Sequence, residues 1–262
     1  MKRVVKKSPS VVAKKVLTQY THPMQKDIPL YLQAKEYLKK EIQAMQPREN
    51  ILESEPLLTQ KLQMSRGTVR KAISELVQEG HISPWHGKGN FGHPAVSRLS
   101  MRYDLNSNFR MLLEQAGHEV RSTRSAWDEV DTPPPLQKRI GLPSEERYIR
   151  FNQTFYADGA IAILSVVHIH KNHLLKYPQE GVYEDNIDSF FQSHCTMGSE
   201  YVISWPLAKL DEKVATAFGL EHNVPVLSWE EVYYNILDEC MGLIEVYFNP
   251  TIMDLSMLLH FS

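Results

Sequence analysis

Apolar residues at helical spacing open the regular part of this chain. After Pro29, Tyr31, Ala34, Leu38, Ile42 and Met45 recur at intervals of three and four, which places them on one face of a helix that stops near Pro47. A shorter helix is predicted from Ser54. Its hydroxyl can cap the free amides of the first turn, Glu55 suits the positive helix end, and Pro56 is tolerated that early. Leu57, Leu58 and Leu62 are expected to face inward. After a break at Gln63 and Met64, Ser65 can cap a third helix to about Gln78, with Val69, Ala72, Ile73, Leu76 and Val77 as its apolar stripe and Gly80 as its stop. Residues 82–91 then give two short apolar segments around a turn holding Gly87 and Gly89, a hairpin signal in which Pro84 assigns its strand to an edge.

Beyond residue 93 the pattern changes. Residues 93–99, with Pro94 and Ser97, read as a linker, and residues 108–117 as a helix. The prolines at 133–135 open a short helix that ends at Gly141. Residues 147–156 and 161–170 are strand-like and meet at a turn of Ala157, Asp158 and Gly159. Residues 210–218 are helical, stopped by Gly219, and residues 226–236 and 241–248 read as another strand pair. Hairpins of strands with helices between them predict an α+β chain with a mainly antiparallel sheet in its C-terminal part. The expected organisation is a flexible arm at 1–27, a helical domain at 28–94, a linker at 95–100 and a sheet domain at 101–262.

Charge sharpens that division. Residues 1–94 carry a formal +8 and the remainder −10, although the whole chain is only −2. A basic first third suggests a polyanion-binding module joined to something that does not bind polyanions, against the alternative of chance clustering of solvated charge. The arm at 1–27 has seven lysines and arginines and no acid before Asp27, so it reads either as a phosphate contact or as a solvated tail. An organellar transit peptide has a similar composition, but this arm is poor in arginine. The longest nearly unbroken apolar run, 160–169, is half of a membrane span, and the N-terminus lacks the apolar stretch of a secretory signal. No membrane partner is expected. Cys195 and Cys240 are too few for a disulfide framework or a four-thiolate zinc site and suit a reducing cytoplasm, the expected location.

Three helices followed by a two-stranded hairpin is the order of a winged helix-turn-helix. The third helix is anchored by an apolar C-terminal half while its first turns carry Ser65, Arg66, Thr68, Arg70 and Lys71. A helix entering the major groove N-terminus first puts those positions nearest the bases, where arginine can donate two bonds to guanine. Ser65, Thr68 and the helix amides suit phosphate oxygens. The hairpin tip, His86, Gly87 and Lys88, offers a cation and an open backbone to the minor groove or to phosphates. With Ser54 these residues form the candidate DNA-facing set; an amphipathic helix with merely solvated cations is the bland alternative. No nucleophile elbow or phosphate loop occurs, no catalytic residue can be named, and no cofactor is expected. His168, His170 and His173 lack the cysteine or carboxylate company of a metal site. The pairs Glu145–Glu146, Asp211–Glu212 and Glu230–Glu231 read as solvated.

The stretches 28–33, 52–55, 64–72, 79–82 and 87–91, above all the run from Ser65 through Thr68, Val69, Arg70 and Lys71 to Ala72, resemble the GntR family of bacterial transcription regulators over roughly residues 28–92. The resemblance implies that Arg66, Thr68 and Arg70 contact DNA from the recognition helix and that His86 and Gly87 form the wing tip. Pro56 stands where many members have a DNA-reading arginine, and Gly67 replaces a common threonine.

Residues 142–144, the turn at 157–159, and the runs 218–220 and 224–227 are similar to the effector-sensing domain of the HutC subfamily, called UTRA. That likeness implies a fold similar to chorismate lyase, a small-metabolite effector, a homodimer on a palindromic operator, and repression relieved by the effector. Where members carry arginines on the first hairpin strand and a Glu-Arg pair on the second, this chain has Gln153 and Phe155, then Ser165 and Val166; residues 248–251 replace a Tyr-Arg-Gly-Asp run. Loss of these cations disfavours a phosphorylated sugar and favours a neutral or amine-bearing polyol. Asn152, Gln153, Ser165 and Glu245 are the pocket positions carried over, and His168 joins them as a polar residue in an apolar strand. The competing expectations are a regulator whose sensor binds nothing and a lyase-like enzyme. An aminotransferase-fused regulator is excluded by length.

Overall fold

Helix α1 (Leu30–Ala44) forms because Ala34, Leu38 and Ile42 align on one face, and it buries that face. Its partners are Leu58 of α2 (Glu55–Leu62) and Val69, Ala72, Ile73 and Leu76 of α3 (Arg66–Gln78), with Leu52 and Ile82 closing the cluster. Lys35 of α1 bridges Glu75 of α3 and Glu79 just beyond its C-terminus, at 3.3 and 2.5 Å, and so ties the two helices across their polar rim. Described residues of the computed structural model are 28–105, 108–179 and 186–259, so the expected basic arm lies outside them.

The hairpin pairs β1 (Ile82–Trp85) with β2 (Gly89–Gly92), and β2 takes Leu52 and Asn50 on its other side through Leu52 N–H to the Asn90 carbonyl and Gly92 N–H to the Asn50 carbonyl. The Asn90 carbonyl therefore points away from β1. Pro84, opposite Asn90, sits at a pair that requires no amide from it, and β1 is the outer strand as expected. Two expectations fail in α2. Ser54 holds the N-cap position but its side chain makes no capping bond, and Leu57 is 54% exposed, whereas Leu58 and Leu62 pack on the core of α1 and α3. Residues 94–97, expected within the linker, form a short helix α4 (Pro94–Ser97), and buried His81 bonds Ser97 at 2.9 Å. This unit ends at Arg98.

The second unit begins at Leu99 and is built on a seven-stranded sheet. Its path runs β4 (Val120–Arg124), β6 (Arg147–Ala157), β7 (Ala160–His170), β10 (Cys240–Phe248), β9 (Val226–Tyr234) and β8 (Tyr201–Lys209), all antiparallel, with β5 (Asp128–Asp131) also pairing β6. β3 (Met101–Arg102) and β11 (Leu255–Ser256) form a small parallel pair beside it. One sheet face is covered by α5 (Phe109–Gln115) and α7 (Ile187–His194), which bury Leu112, Leu113, Phe190 and Phe191 against Phe151, Ile163, Val167 and Val246. The opposite face carries α6 (Pro134–Ile140), through Leu136 on Tyr148, Val232 and Leu243, and α8 (Glu212–Ala217), through Val214 on Tyr247. The α+β expectation with a mainly antiparallel sheet holds.

The sequence pattern missed β4, β5, β8 and α7. β5 is rich in acids, which have poor strand propensity, and it is held by cross-strand pairing of Asp128 with Arg150 at 2.5 Å and of Asp131 with Arg147. β8 is a sheet edge whose pattern is broken by Pro206.

β7 and β10 leave no room for a side chain where Gly242 lies opposite Ile169. A Cβ at Gly242 would stand 2.2 Å from the His168 carbonyl oxygen, which is backbone and cannot move aside. Gly242→Ala is expected to destabilise the second unit by about 3 kcal/mol, the upper range for overpacking, read as a lower urea midpoint by tryptophan fluorescence. Gly198→Ala, whose Cβ would meet only the Gln192 side chain at 3.6 Å, should change it by less than about 0.5 kcal/mol.

Candidate functional site

In the first unit the N-terminus of α3 carries the candidate chemistry. Ser65 caps the helix, its Oγ accepting the Thr68 amide at 3.1 Å and lying 2.8 Å from the Thr68 hydroxyl. Arg66 and Arg70, one turn apart, are 69% and 61% exposed along their side chains. Both reach one carboxylate. Arg70 donates to the two oxygens of Glu55 at 3.4 and 3.0 Å, and Arg66 Nε lies 3.5 Å from Glu55 Oε2. Arg70 above all, with Arg66, holds the Glu55 carboxyl below the usual carboxylate range. Glu55, absent from the expected DNA-facing set, therefore aligns two guanidinium groups along the outer face of α3 before any partner arrives. Its signal was its position at the first turn of α2, where only a role at the helix end was recognised.

The remaining residues of that set are exposed or half-buried. Lys71 extends over the Tyr31 ring, 3.7 Å from its centre, and Ser54 sits exposed beside Glu55 at the start of α2. At the hairpin tip His86, Gly87 and Lys88 are exposed, Gly87 takes a φ of +75°, and the Lys88 ammonium lies 3.8 Å over the Trp85 ring. Trp85, 56% exposed, is a large apolar group at that tip that the sequence reading passed over.

In the second unit the five expected pocket residues do not converge. Side chains alternate across a strand, so the register divides them. Gln153 pairs with Ser165 and both are buried on the face covered by α5 and α7. Asn152, His168 and Glu245 belong to the other face: Asn152 and Glu245 both register with Val166, and His168 with Arg150 and Leu243. Glu245 is engaged there by Lys209 at 3.0 Å, and Lys209 also bonds Glu230 at 3.1 Å, which in turn accepts from Arg139 at 3.0 Å. Asn152 is exposed. Burial, with the Arg150 charge adding to it, lowers His168 to about 4, which leaves its ring neutral at pH 7.

The acid that does join Gln153 and Ser165 is Glu231. The sequence predicts a solvated pair with Glu230, yet the two are only 2% and 8% exposed. Glu231 lies on the same face as Trp229 and Tyr233, and its parity with those aromatics was the available signal. Oε1 accepts from the Tyr103 hydroxyl and from Ser204 at 3.1 Å, and Oε2 accepts from Tyr233 at 3.0 Å. Burial pushes its carboxyl above the usual range, and the three hydroxyl donors oppose that push. Gln153, Ser165, Glu231 and Tyr233, with Phe109 and Ile187 from the covering helices, line a cavity of about 20 Å³. The Ser165 hydroxyl is buried and has no hydrogen-bond partner among the described residues. Among the described residues no group of His, Cys, Asp and Glu is arranged to hold a metal, and no helix is long and apolar enough to cross a membrane.

No protein-family model matches the chain. Among curated proteins it is similar to the HTH-type transcriptional regulator TreR of Bacillus subtilis, 24% identical over 187 residues that cover 69% of this chain and 77% of TreR. Among solved structures it is similar to YydK of Bacillus subtilis, a possible transcriptional regulator, with a TM-score of 0.66 and 17% identity over 89% of this chain and 100% of that one. A candidate GntR-family transcriptional regulator of known structure aligns with a TM-score of 0.50 and 17% identity, covering 89% of this chain and 98% of its own. The chain thus shares its α+β fold, a helical unit with a hairpin followed by an antiparallel-sheet unit, with transcriptional regulators.

Proposed function

We propose that this chain is a bacterial GntR-type transcription regulator in which the first unit reads operator DNA and the second senses a small molecule. The observation that carries the reading is the pair of exposed guanidinium groups of Arg66 and Arg70, aligned by Glu55 at the capped N-terminus of α3. A capped helix end with two aligned forks suits a major groove, since arginine bonds guanine bidentately and the helix amides favour phosphate. Lys88 and His86 at the hairpin tip add the sequence-independent part of the affinity. The likeness to TreR supports the same reading.

Of the expected domains, 28–94 for DNA binding extends through the helix to Arg98 and 101–262 for sensing begins at Leu99, so little of the expected connection at 95–100 remains, with 1–27 kept as a basic arm. One module of this size reads few base pairs, so a homodimer on two half-sites supplies the specificity a genome requires. The outer strand β8, exposing Tyr201, Val202 and Ile203, offers the second unit an open sheet edge for such pairing. The regulator is a repressor that its effector releases. The effector acts only through its differential affinity for the DNA-competent and released states. A cytoplasmic location follows from that role.

Operator sequences selected from random duplexes with the full chain test the reading. Arg66→Ala and Arg70→Ala should each weaken the selected operator by roughly 1–3 kcal/mol and relax base preference. Lys88→Ala should weaken all sequences alike and reduce the salt slope by about one charge. Arginine variants that bind the operator as tightly as wild type would remove α3 from the groove. Glu55→Gln removes the alignment and also a negative charge. Its non-specific binding should rise slightly, while operator-over-random discrimination falls by roughly 1 kcal/mol in competition band shifts. Unchanged discrimination would reduce Glu55 to a helix-end acid.

A further inference from the structure

We infer that the cavity in the second unit takes the primary ammonium group of a small organic amine, held by the Glu231 carboxylate and the Ser165 hydroxyl. The inference rests on the sensing role proposed above and names the ligand class of that site. It starts from what lines the cavity. Glu231 is the one charged group among its described lining residues, and no lysine, arginine or histidine stands with it. A carboxylate has about four lone-pair directions, and three hydroxyl donors from Tyr103, Ser204 and Tyr233 use three of them. One acceptor direction is left over. Ser165 Oγ supplies a second acceptor from β7, buried and without a partner among the described residues. The carboxylate direction asks for a donor, and the hydroxyl, which accepts as well as donates, can take a second bond from the same group.

Size narrows the class further. A space of about 20 Å³ admits one water-sized body. An ammonium head group is that size, carries three donors and no acceptor, and brings the charge that a buried carboxylate lacks. The aromatic walls of Phe109 and Tyr233 suit a cation better than aliphatic walls would. A phosphate fails on each count. It is larger than the space, and it carries the sign of charge already present. The carboxylate also explains why the site is kept polar at all. Its burial raises the carboxyl, and an incoming ammonium would stabilise the ionised form in place of a proton.

Calorimetry on the full chain at pH 7 decides the matter. The probes are ethanolamine and D-glucosamine, their hydroxyl counterparts ethylene glycol and D-glucose, and the anions inorganic phosphate and D-glucose 6-phosphate. At least one ammonium probe should bind saturably, at least about tenfold tighter than its hydroxyl counterpart. Glu231→Gln should weaken it by about tenfold or more and Ser165→Ala by about threefold. Circular dichroism checks that each variant folds. If Glu231→Gln does not, Ser165→Ala and the ammonium-against-hydroxyl comparison on the wild type carry the test. Equal affinity for ammonium and hydroxyl probes overturns the inference, as does ammonium binding indifferent to both substitutions. Binding of either anion with both ammonium probes silent overturns the cation but leaves a working sensor. Silence of every probe overturns the ammonium site, while operator binding by the Arg66 and Arg70 variants judges the DNA reading separately.

Discussion

The second unit depends on the pairing register between β7 and β10. Because side chains alternate, a slip of one residue would exchange everything that faces α5 and α7 with everything that faces α6 and α8. The register is pinned by contact, not by pattern alone. Gly242 brings its Cα against the His168 carbonyl so closely that any other residue would collide with backbone. With that point fixed, Val246 lands on Ser165 and Glu245 on Val166, and the pairing of β10 with β9 then sends Glu231 inward beside Ile244 and Glu230 outward beside Glu245. Two adjacent glutamates on one strand are thereby given opposite environments.

Those environments are solved by different chemistry. Glu230 and Glu245 stand directly across from each other, a repulsive arrangement, and Lys209 between them with Arg139 alongside removes the repulsion. The basic groups hold the Glu230 carboxyl below the usual range despite its burial. Among the described residues Glu231 has no ion-pair partner. Its burial costs several kcal/mol, against which three hydroxyl bonds to a charged acceptor return about 1.5–3 kcal/mol each. Those donors make the site tolerable, and the raised carboxyl shows that they leave part of the desolvation penalty standing.

The helical unit was largely legible because its signals are local. Ala34, Leu38 and Ile42 repeat at helical spacing, Ser65 caps where a serine should, and the glycine-bearing turn at 86–88 follows from composition. Ser54 and Leu57 misled because capping and burial there are decided by how α2 lies on α1 and α3, which no short window contains. The sheet unit was legible in its hairpins and not in its edges. β5 owes its place to Arg147 and Arg150, whose partners across the strand cannot be recognised before the pairing is known. The pocket set failed for a related reason. Gln153 and Ser165 were found because their strands pair as a local hairpin, whereas choosing Glu231 over Glu245 requires the register of a strand from the distant end of the chain.

The same register couples the two faces of the second unit. Glu231 and Glu230 are neighbours on β9, one lining the cavity and the other clamped by Lys209 and Arg139 on the far face. A rotation of β9 that brought Glu231 toward a cation would move Glu230 out of its clamp, and a close-packed sheet does not absorb such a rotation gradually. Lys209 lies on the edge strand β8, so whatever shifts the clamp also shifts that edge.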